Sequence, residues 1–451
     1  MFKLFQCIFK DNCGVLNKNI VLKSINVCTF SDKSGINLRE KTSINTPRAQ
    51  SVAEYYAGKK VFITGGTGFV GKVLIQRLLT NCKDIDTLYV LIRQKSGQNV
   101  QERLKSMLNV PLFDNLKKVN PASLNKIVPI PGDMMKSKLG ISLQDEDKLI
   151  DNTFVYISTA FSNSDKAVID EVIYPPPKPL DEVYKFIDKH GNDEERIKKF
   201  IGGLPNTYTF SKAFCESLVD KEHGNMRTII VRPSIVTPSV QDPPGWCDSW
   251  VAATATFSDV SRGLTRVLYG RPDVPCNTIP VDYVCNLTLV AAARQNPSKD
   301  VLVYNCCGDP DNIVTWKRGA DMYLEESLKY DRVPGTLRPG KVVMSPHPLV
   351  VRYLRFTRQT VPALLADCWL RIQGKQPRHL KAVQRAALLT TLLQSFTSTR
   401  LDFRTTRSRH LMDTMSEEDK VLFPCDPKTI IWKNYMKDFY CGVQKYLLNN
   451  K

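Results

Sequence analysis

Val61-Phe62-Ile63-Thr64-Gly65-Gly66-Thr67-Gly68-Phe69-Val70-Gly71 is the stretch on which the fold turns. Three apolar residues that suit a buried strand run straight into a loop with glycines at Gly65, Gly68 and Gly71. Beyond the loop, Val73, Leu74, Leu78 and Leu79 recur with helical spacing on one side. Strand, glycine-rich loop and helix in that order make a pyrophosphate site: Gly65 permits a tight turn, Gly68 lets backbone approach the ligand, and Gly71 lets helix pack on strand. The helix N-terminus then faces the phosphates with unpaired N–H groups. A glycine triplet alone is a weak sign, but one set between a strand and an amphipathic helix is a strong one. Thr64, Gly65, Thr67, Gly68, Phe69, Val70 and Gly71 are therefore the first candidate dinucleotide contacts.

Outward from this loop the pattern repeats. Residues 88–92, 126–130, 154–157 and 228–231 read as buried strands, with helical segments at 100–107, at 142–151 and from Tyr208 onward. The alternation predicts an α/β fold, a Rossmann-type doubly wound parallel sheet. Residues 165–203 are charged and contain Pro175-Pro176-Pro177, so they read as an excursion over the surface. Beyond Pro339 strand signals become scarce, and 349–370, 381–393, 412–422 and 430–448 read as helices, with Ser416 and Asp419 placed for a capping box. The expected organisation is a leader at 1–50, a NAD(P)-binding domain at 51–335 and a smaller helical C-terminal domain at 336–451.

A chain of 451 residues with 42% apolar content can build two or three packed domains. Its net charge of +18 draws anions of every kind, nucleotides and coenzyme A among them. No Lys/Arg run is interleaved with aromatics and no zinc-finger spacing appears, which argues against a nucleic-acid partner. The 13 cysteines are scattered and the five histidines do not pair, so no metal is expected and the cysteines read as reduced thiols facing the cytosol. No run of about 18 uncharged apolar residues suits a membrane-spanning helix. In residues 1–50, Lys3, Lys10, Lys18, Lys23, Lys33, Arg39, Lys41 and Arg48 outnumber the acids. An organelle-targeting leader and a disordered extension or misassigned start stand as alternatives there.

Two constellations carry chemistry. At the end of the second strand an acidic residue would select NADH, whereas a cation accommodates a 2′-phosphate. Arg93 stands there with Lys95 close behind, which favours NADPH, with a plain surface arginine as the alternative. Asp133, at the tip of the third strand, suits either the adenine amino group or a loop cap. Farther on, Tyr208 and Lys212 lie one helical turn apart on one face. A phenol needs a neighbouring cation to serve as a proton donor in hydride chemistry at neutral pH. Ser158 and Thr159, ending a preceding strand, supply hydroxyls to hold a substrate carbonyl.

With these segments in view, the sequence resembles the extended short-chain dehydrogenase/reductases and, within them, the fatty acyl-CoA reductases. The carrying segments are residues 62–72, 91–93, 157–161, 205–213, 231–236 and 244–246, and the resemblance runs from Val52 to the last residues. It implies reduction of a long-chain acyl-CoA to a primary alcohol by NADPH, with release of coenzyme A. It further implies Tyr208 as proton donor, Lys212 as the group that lowers its pKa and holds the nicotinamide ribose, Thr159 and Ser158 on the carbonyl oxygen, and Pro233 among the cofactor contacts. The endoplasmic reticulum or peroxisome membrane is the implied address.

One departure stands out. Between Asp133 and Phe154 there is room for a single helix, where a doubly wound sheet needs a further strand and helix. The family's His-x-Ala-Ala strand end is absent with them. Either the last strand slides into the vacant place or the sheet keeps a gap. A second reading therefore stands beside the first, a non-catalytic relative that retains nucleotide or membrane binding. A sugar-nucleotide epimerase of the same superfamily is disfavoured by the helical C-terminal region.

Residues 349–356 and 361–370 are apolar segments edged by Arg352, Arg355, Arg358 and Arg371. They suit helices lying in a membrane interface, with a buried helical hairpin as the alternative.

Overall fold

The computed structural model describes residues 26–30, 50–94, 97–149, 153–191, 193–294, 300–330 and 336–448. They form two compact units that are not consecutive along the chain. The first comprises Met1–Pro233, Asp282–Cys306 and Phe403–Cys425, and the second Ser234–Val281, Cys307–Asp402 and Asp426–Lys451. Residues 234–281, expected with the nucleotide-binding domain, thus cluster with the C-terminal helices, and 403–425 cluster with the sheet.

The first unit is built on seven strands: β1 (Asn26–Phe30), β2 (Lys60–Ile63), β3 (Thr87–Ile92), β4 (Ile127–Pro131), β5 (Thr153–Ile157), β6 (Arg227–Pro233) and β7 (Leu302–Cys306). Their order is β7-β6-β5-β1-β2-β3-β4. Every neighbouring pair is parallel except those made by β1, which runs antiparallel to both β2 and β5. Val27 sits opposite Ile63 on one side and Val155 on the other.

β1 corrects two expectations at once. Residues 26–30 are not part of an extension outside the fold but the central strand of the sheet. The missing strand is replaced neither by a sliding neighbour nor by a gap: β1 pairs with the facing edges of β2 and β5. A further element escapes the sequence pattern: β7 and the helix Val281–Ala293 before it follow a segment where no alternation was assigned.

Helix α1 (Phe69–Asn81) follows β2, and its run from Gly71 to Leu79 is buried. Helix α2 (Thr207–Glu222) begins at Asn206, whose side chain accepts from Thr209 N at 2.9 Å. Cys215 and Val219 of α2 join the apolar cluster of Phe62, Phe154, Tyr156, Ile230 and Val303 on one face of the sheet. Phe210, Phe214 and Leu218 pack on Val183, Ile197, Ile201 and Leu204. The charged excursion thus carries two helices, Leu180–His190 and Glu194–Phe200, which cover the outer side of α2.

In the second unit, Ala252–Ser261, Trp316–Ser327 and Trp432–Gly442 meet through Phe257, Trp316, Tyr323 and Phe439, with ring centroids 5.4–6.0 Å apart. Residues 348–372 form one helical stretch with a π turn at Phe356–Thr360, just before Pro362. Proline cannot donate to the preceding turn, and a π turn absorbs that break without ending the helix. Among the described residues, no helix is long and apolar enough to cross a membrane.

Candidate active site

The loop after β2 has the geometry its glycines imply. Gly65 takes φ +65°, a left-handed conformation that side-chain-bearing residues avoid. A Cβ on Gly71 would sit 2.4 Å from the Gly65 carbonyl and 2.7 Å from the Gly66 Cα, so the start of α1 presses directly on the loop. Gly66 is equally constrained, since a Cβ there would meet Val90 Cγ1 at 2.5 Å. Sequence spacing does not single out Gly66, because its neighbour lies on β3.

This loop opens onto a cleft of about 340 Å³ lined by Gly65, Thr67, Gly68, Arg93, Arg103 and Asp133, with Leu91, Gly132, Met134 and Met135 completing the wall. Arg93 and Asp133, from the ends of β3 and β4, therefore share one site with the glycines. Lys95 lies outside the described residues. Asp133 Oδ1 accepts from Met135 N at 3.0 Å, so it does cap its loop while facing the cleft. Arg103, from the helix Val100–Leu108, donates to the Arg93 carbonyl. Burial, and secondarily the charge of Arg93, pull its guanidinium below its ordinary pKa. Two cations held together on one wall suit a phosphate.

The second half of the site sits at the ends of β5 and β6. Thr159 is 5% exposed, and its Oγ1 donates to the Pro233 carbonyl at 3.4 Å. Ser158 anchors its backbone on Val231 O at 2.8 Å, while its buried Oγ has no hydrogen-bond partner. A buried hydroxyl left unpaired at a strand end is the kind of group a ligand satisfies. Lys212, 2% exposed, donates to the Ile157 carbonyl at 2.8 Å, and its ammonium stands 4.9 Å from the centre of the Tyr156 ring. Burial pushes its pKa down to about 8, with Cys215 and Glu216 pulling in the opposite direction.

Tyr208 remains 38% exposed as a residue, so a substrate can reach it. Desolvation nevertheless pushes its phenol up to about 12, opposed by a side-chain hydrogen bond with Thr159. Thr159, Tyr208, Lys212 and Pro233 are thus brought together, with Ser158 adjoining through the chain.

Fold and site define a nicotinamide-dinucleotide-binding oxidoreductase. A family model described as Male sterility protein, the NAD-binding part, matches residues 63–153 and 148–288. Its two pieces meet where the strand-helix unit is missing. A second model, also described as Male sterility protein, matches residues 358–450. Fatty acyl-CoA reductase 1 of Rattus norvegicus is 32% identical over 449 residues, covering 89% of this chain and 87% of that protein. Fatty acyl-CoA reductase 2 of Mus musculus is 31% identical, covering 88% and 86%. The fold is shared with the reductase domain of a nonribosomal peptide synthetase from Mycobacterium tuberculosis, at a TM-score of 0.55, 16% identity and 86% and 91% coverage. The chain belongs to the fatty acyl-CoA reductase family.

Proposed function

We propose that this chain reduces a long-chain acyl-CoA to a primary alcohol with NADPH, releasing coenzyme A. The observation that carries the reading is that buried Lys212, one turn past Tyr208 on α2, donates to the Ile157 carbonyl at the strand end that leads into Ser158 and Thr159, in a chain whose relatives are named for acyl-CoA reduction. NADPH, when bound, supplies the hydrides. The glycine loop would hold its pyrophosphate, Arg93 and Arg103 its 2′-phosphate, Asp133 the adenine edge, and Lys212 and Pro233 the nicotinamide end. The tight glycine turn, on which the start of α1 presses, and the cleft that Arg93, Arg103 and Asp133 line beside it support that fit.

Thr159 and Ser158 hold the thioester carbonyl oxygen, the place where negative charge develops. Tyr208, kept protonated by its raised pKa, gives its proton to that oxygen, and the protonated hemithioacetal collapses with loss of the thiol. The aldehyde is handled by the same groups in a second round. Lys212 keeps positive charge near the reacting oxygen, and the net charge of +18 favours approach of coenzyme A's phosphates.

A second reading, a non-catalytic relative that binds nucleotide, is favoured by one observation. Because β1 is antiparallel, it delivers Asn26 to the sheet end where β2 and β5 deliver Ile63 and Ile157, in place of a strand's C-terminal end. Titrating NADPH into the protein and its Tyr208→Phe variant, then following NADPH oxidation with palmitoyl-CoA, separates the two. The reductase reading expects the variant to lose roughly 100-fold or more in turnover while NADPH affinity is retained. A fully active variant refutes the role of Tyr208, and saturable NADPH binding with no turnover in the parent protein gives the second reading.

A further inference from the structure

The row that starts at Tyr208 continues deeper into the first unit. Lys212 and Glu216 follow at successive i+4 steps on α2, and Glu216 is 1% exposed. Its carboxylate receives a fork from Arg232, itself fully buried: Nε to Oε1 at 2.9 Å and Nη2 to Oε2 at 2.7 Å. Glu216 Oε1 also accepts from Ser162 Oγ at 3.2 Å. Arg232 Nη1 donates to the Asp170 carbonyl at 2.9 Å, and Nη2 to the Val172 carbonyl at 2.7 Å.

A pair buried this completely loses in desolvation much of what it gains by attraction, and a well-packed apolar pair often serves stability as well. What an apolar pair cannot reproduce is the set of directed bonds. Ser162 lies three residues past Thr159, in the turn Ala160–Asn163. Glu216 shares its helix with Tyr208 and Lys212. Arg232 precedes Pro233, whose carbonyl accepts from Thr159. The three elements that carry the reducing groups converge on one ion pair.

We propose that Glu216–Arg232 is a positioning pair for the reduction site, holding the Thr159 turn, the Tyr208 helix and the end of β6 in one register; the proposal rests on the reductase reading above. Glu216 has a second effect through its charge. Lys212 is faced by Cys215 and Glu216 from α2, by the Tyr156 ring and Ile157 carbonyl from β5, and, behind Glu216, by Arg232 from β6. Among these, Cys215 and then Glu216 favour the ammonium against burial. Neutralising Glu216 lowers the pKa of Lys212, so an activity that needs the ammonium is lost at lower pH.

The test compares the parent protein with Glu216→Gln, Arg232→Lys and the double variant Glu216→Leu/Arg232→Met. Turnover of NADPH and palmitoyl-CoA is followed across pH, with thermal unfolding and amide hydrogen exchange alongside. The expected result for Glu216→Gln is a kcat roughly 10- to 100-fold lower, with KM changed much less and the alkaline limb of the pH profile displaced downward. Arg232→Lys, which keeps the charge but not the fork, falls between. The double variant is expected to unfold near the parent's temperature while its turnover stays low. In Glu216→Gln, amides of residues 158–163, 207–216 and 231–233 lose protection together. Unchanged kcat and pH limb in Glu216→Gln, recovery of turnover in the double variant, or lost protection in one segment alone overturns the proposal. If the parent protein neither binds nor oxidises NADPH, the reductase reading fails, and the exchange pattern still decides whether the pair sets the register.

Discussion

Arg93 and Arg103 occupy one wall of the nucleotide cleft, and their proximity gives the choice between the two nicotinamide cofactors a physical basis. On the proposed NADPH reading each guanidinium would share the 2′-phosphate, so Arg93→Ala or Arg103→Ala is expected to weaken NADPH binding about tenfold while leaving NADH binding nearly unchanged. Fluorescence titration with both cofactors checks this, and equal losses for the two would contradict it. Arg93 was legible in the sequence because chain order alone fixes the end of the strand after a glycine loop. Arg103 was not, since it reaches the cleft from a helix whose docking is a tertiary fact. Glu216 was hidden for the same reason: its spacing from Lys212 is plain, but its value depends on Arg232, which arrives on a different strand.

At the scale of elements, β2, α1, β3 and β4 were readable because each strand is a short apolar run bounded by turn residues, and the helix repeats its apolar positions. Counting them exposed the missing strand-helix unit. Its replacement could not be read, because Asn26–Phe30 is short and only partly apolar, and strand pairing is decided by what lies alongside. Deleting residues 1–49 removes the ladders on both sides of β1 and exposes the edges of β2 and β5, at a cost on the order of 5 kcal/mol or more. The truncated protein should aggregate or unfold at a markedly lower temperature in a thermal shift assay; an unchanged unfolding temperature would contradict the pairing of β1. By the same argument, a targeting leader cleaved beyond Phe30 is incompatible with this sheet.

At the scale of the whole molecule, the sequence conveyed two units but not their interleaving, because segments distant in sequence pack together and local patterns do not report that. It also left the helices of 348–372 undecided between burial and a membrane interface. Val351 and Ala363 are buried, but Leu349, Tyr353, Leu365, Trp369 and Ile372 are 61–79% exposed, beside Arg352, Arg358 and Arg371. A wholly buried hairpin is therefore excluded, and we infer that the exposed face meets an anionic membrane surface, where aromatic and basic side chains bind together. Co-sedimentation with vesicles of phosphatidylcholine and phosphatidylserine should fall about tenfold in Leu365→Glu/Trp369→Glu; undiminished binding would count against this face. The reductase reading meets its sharpest test when the purified full chain is supplied with NADPH and palmitoyl-CoA and both cofactor oxidised and hexadecanol formed are measured. It predicts alcohol and free coenzyme A with two NADPH consumed for each alcohol, and saturable NADPH binding without oxidation or product would contradict it.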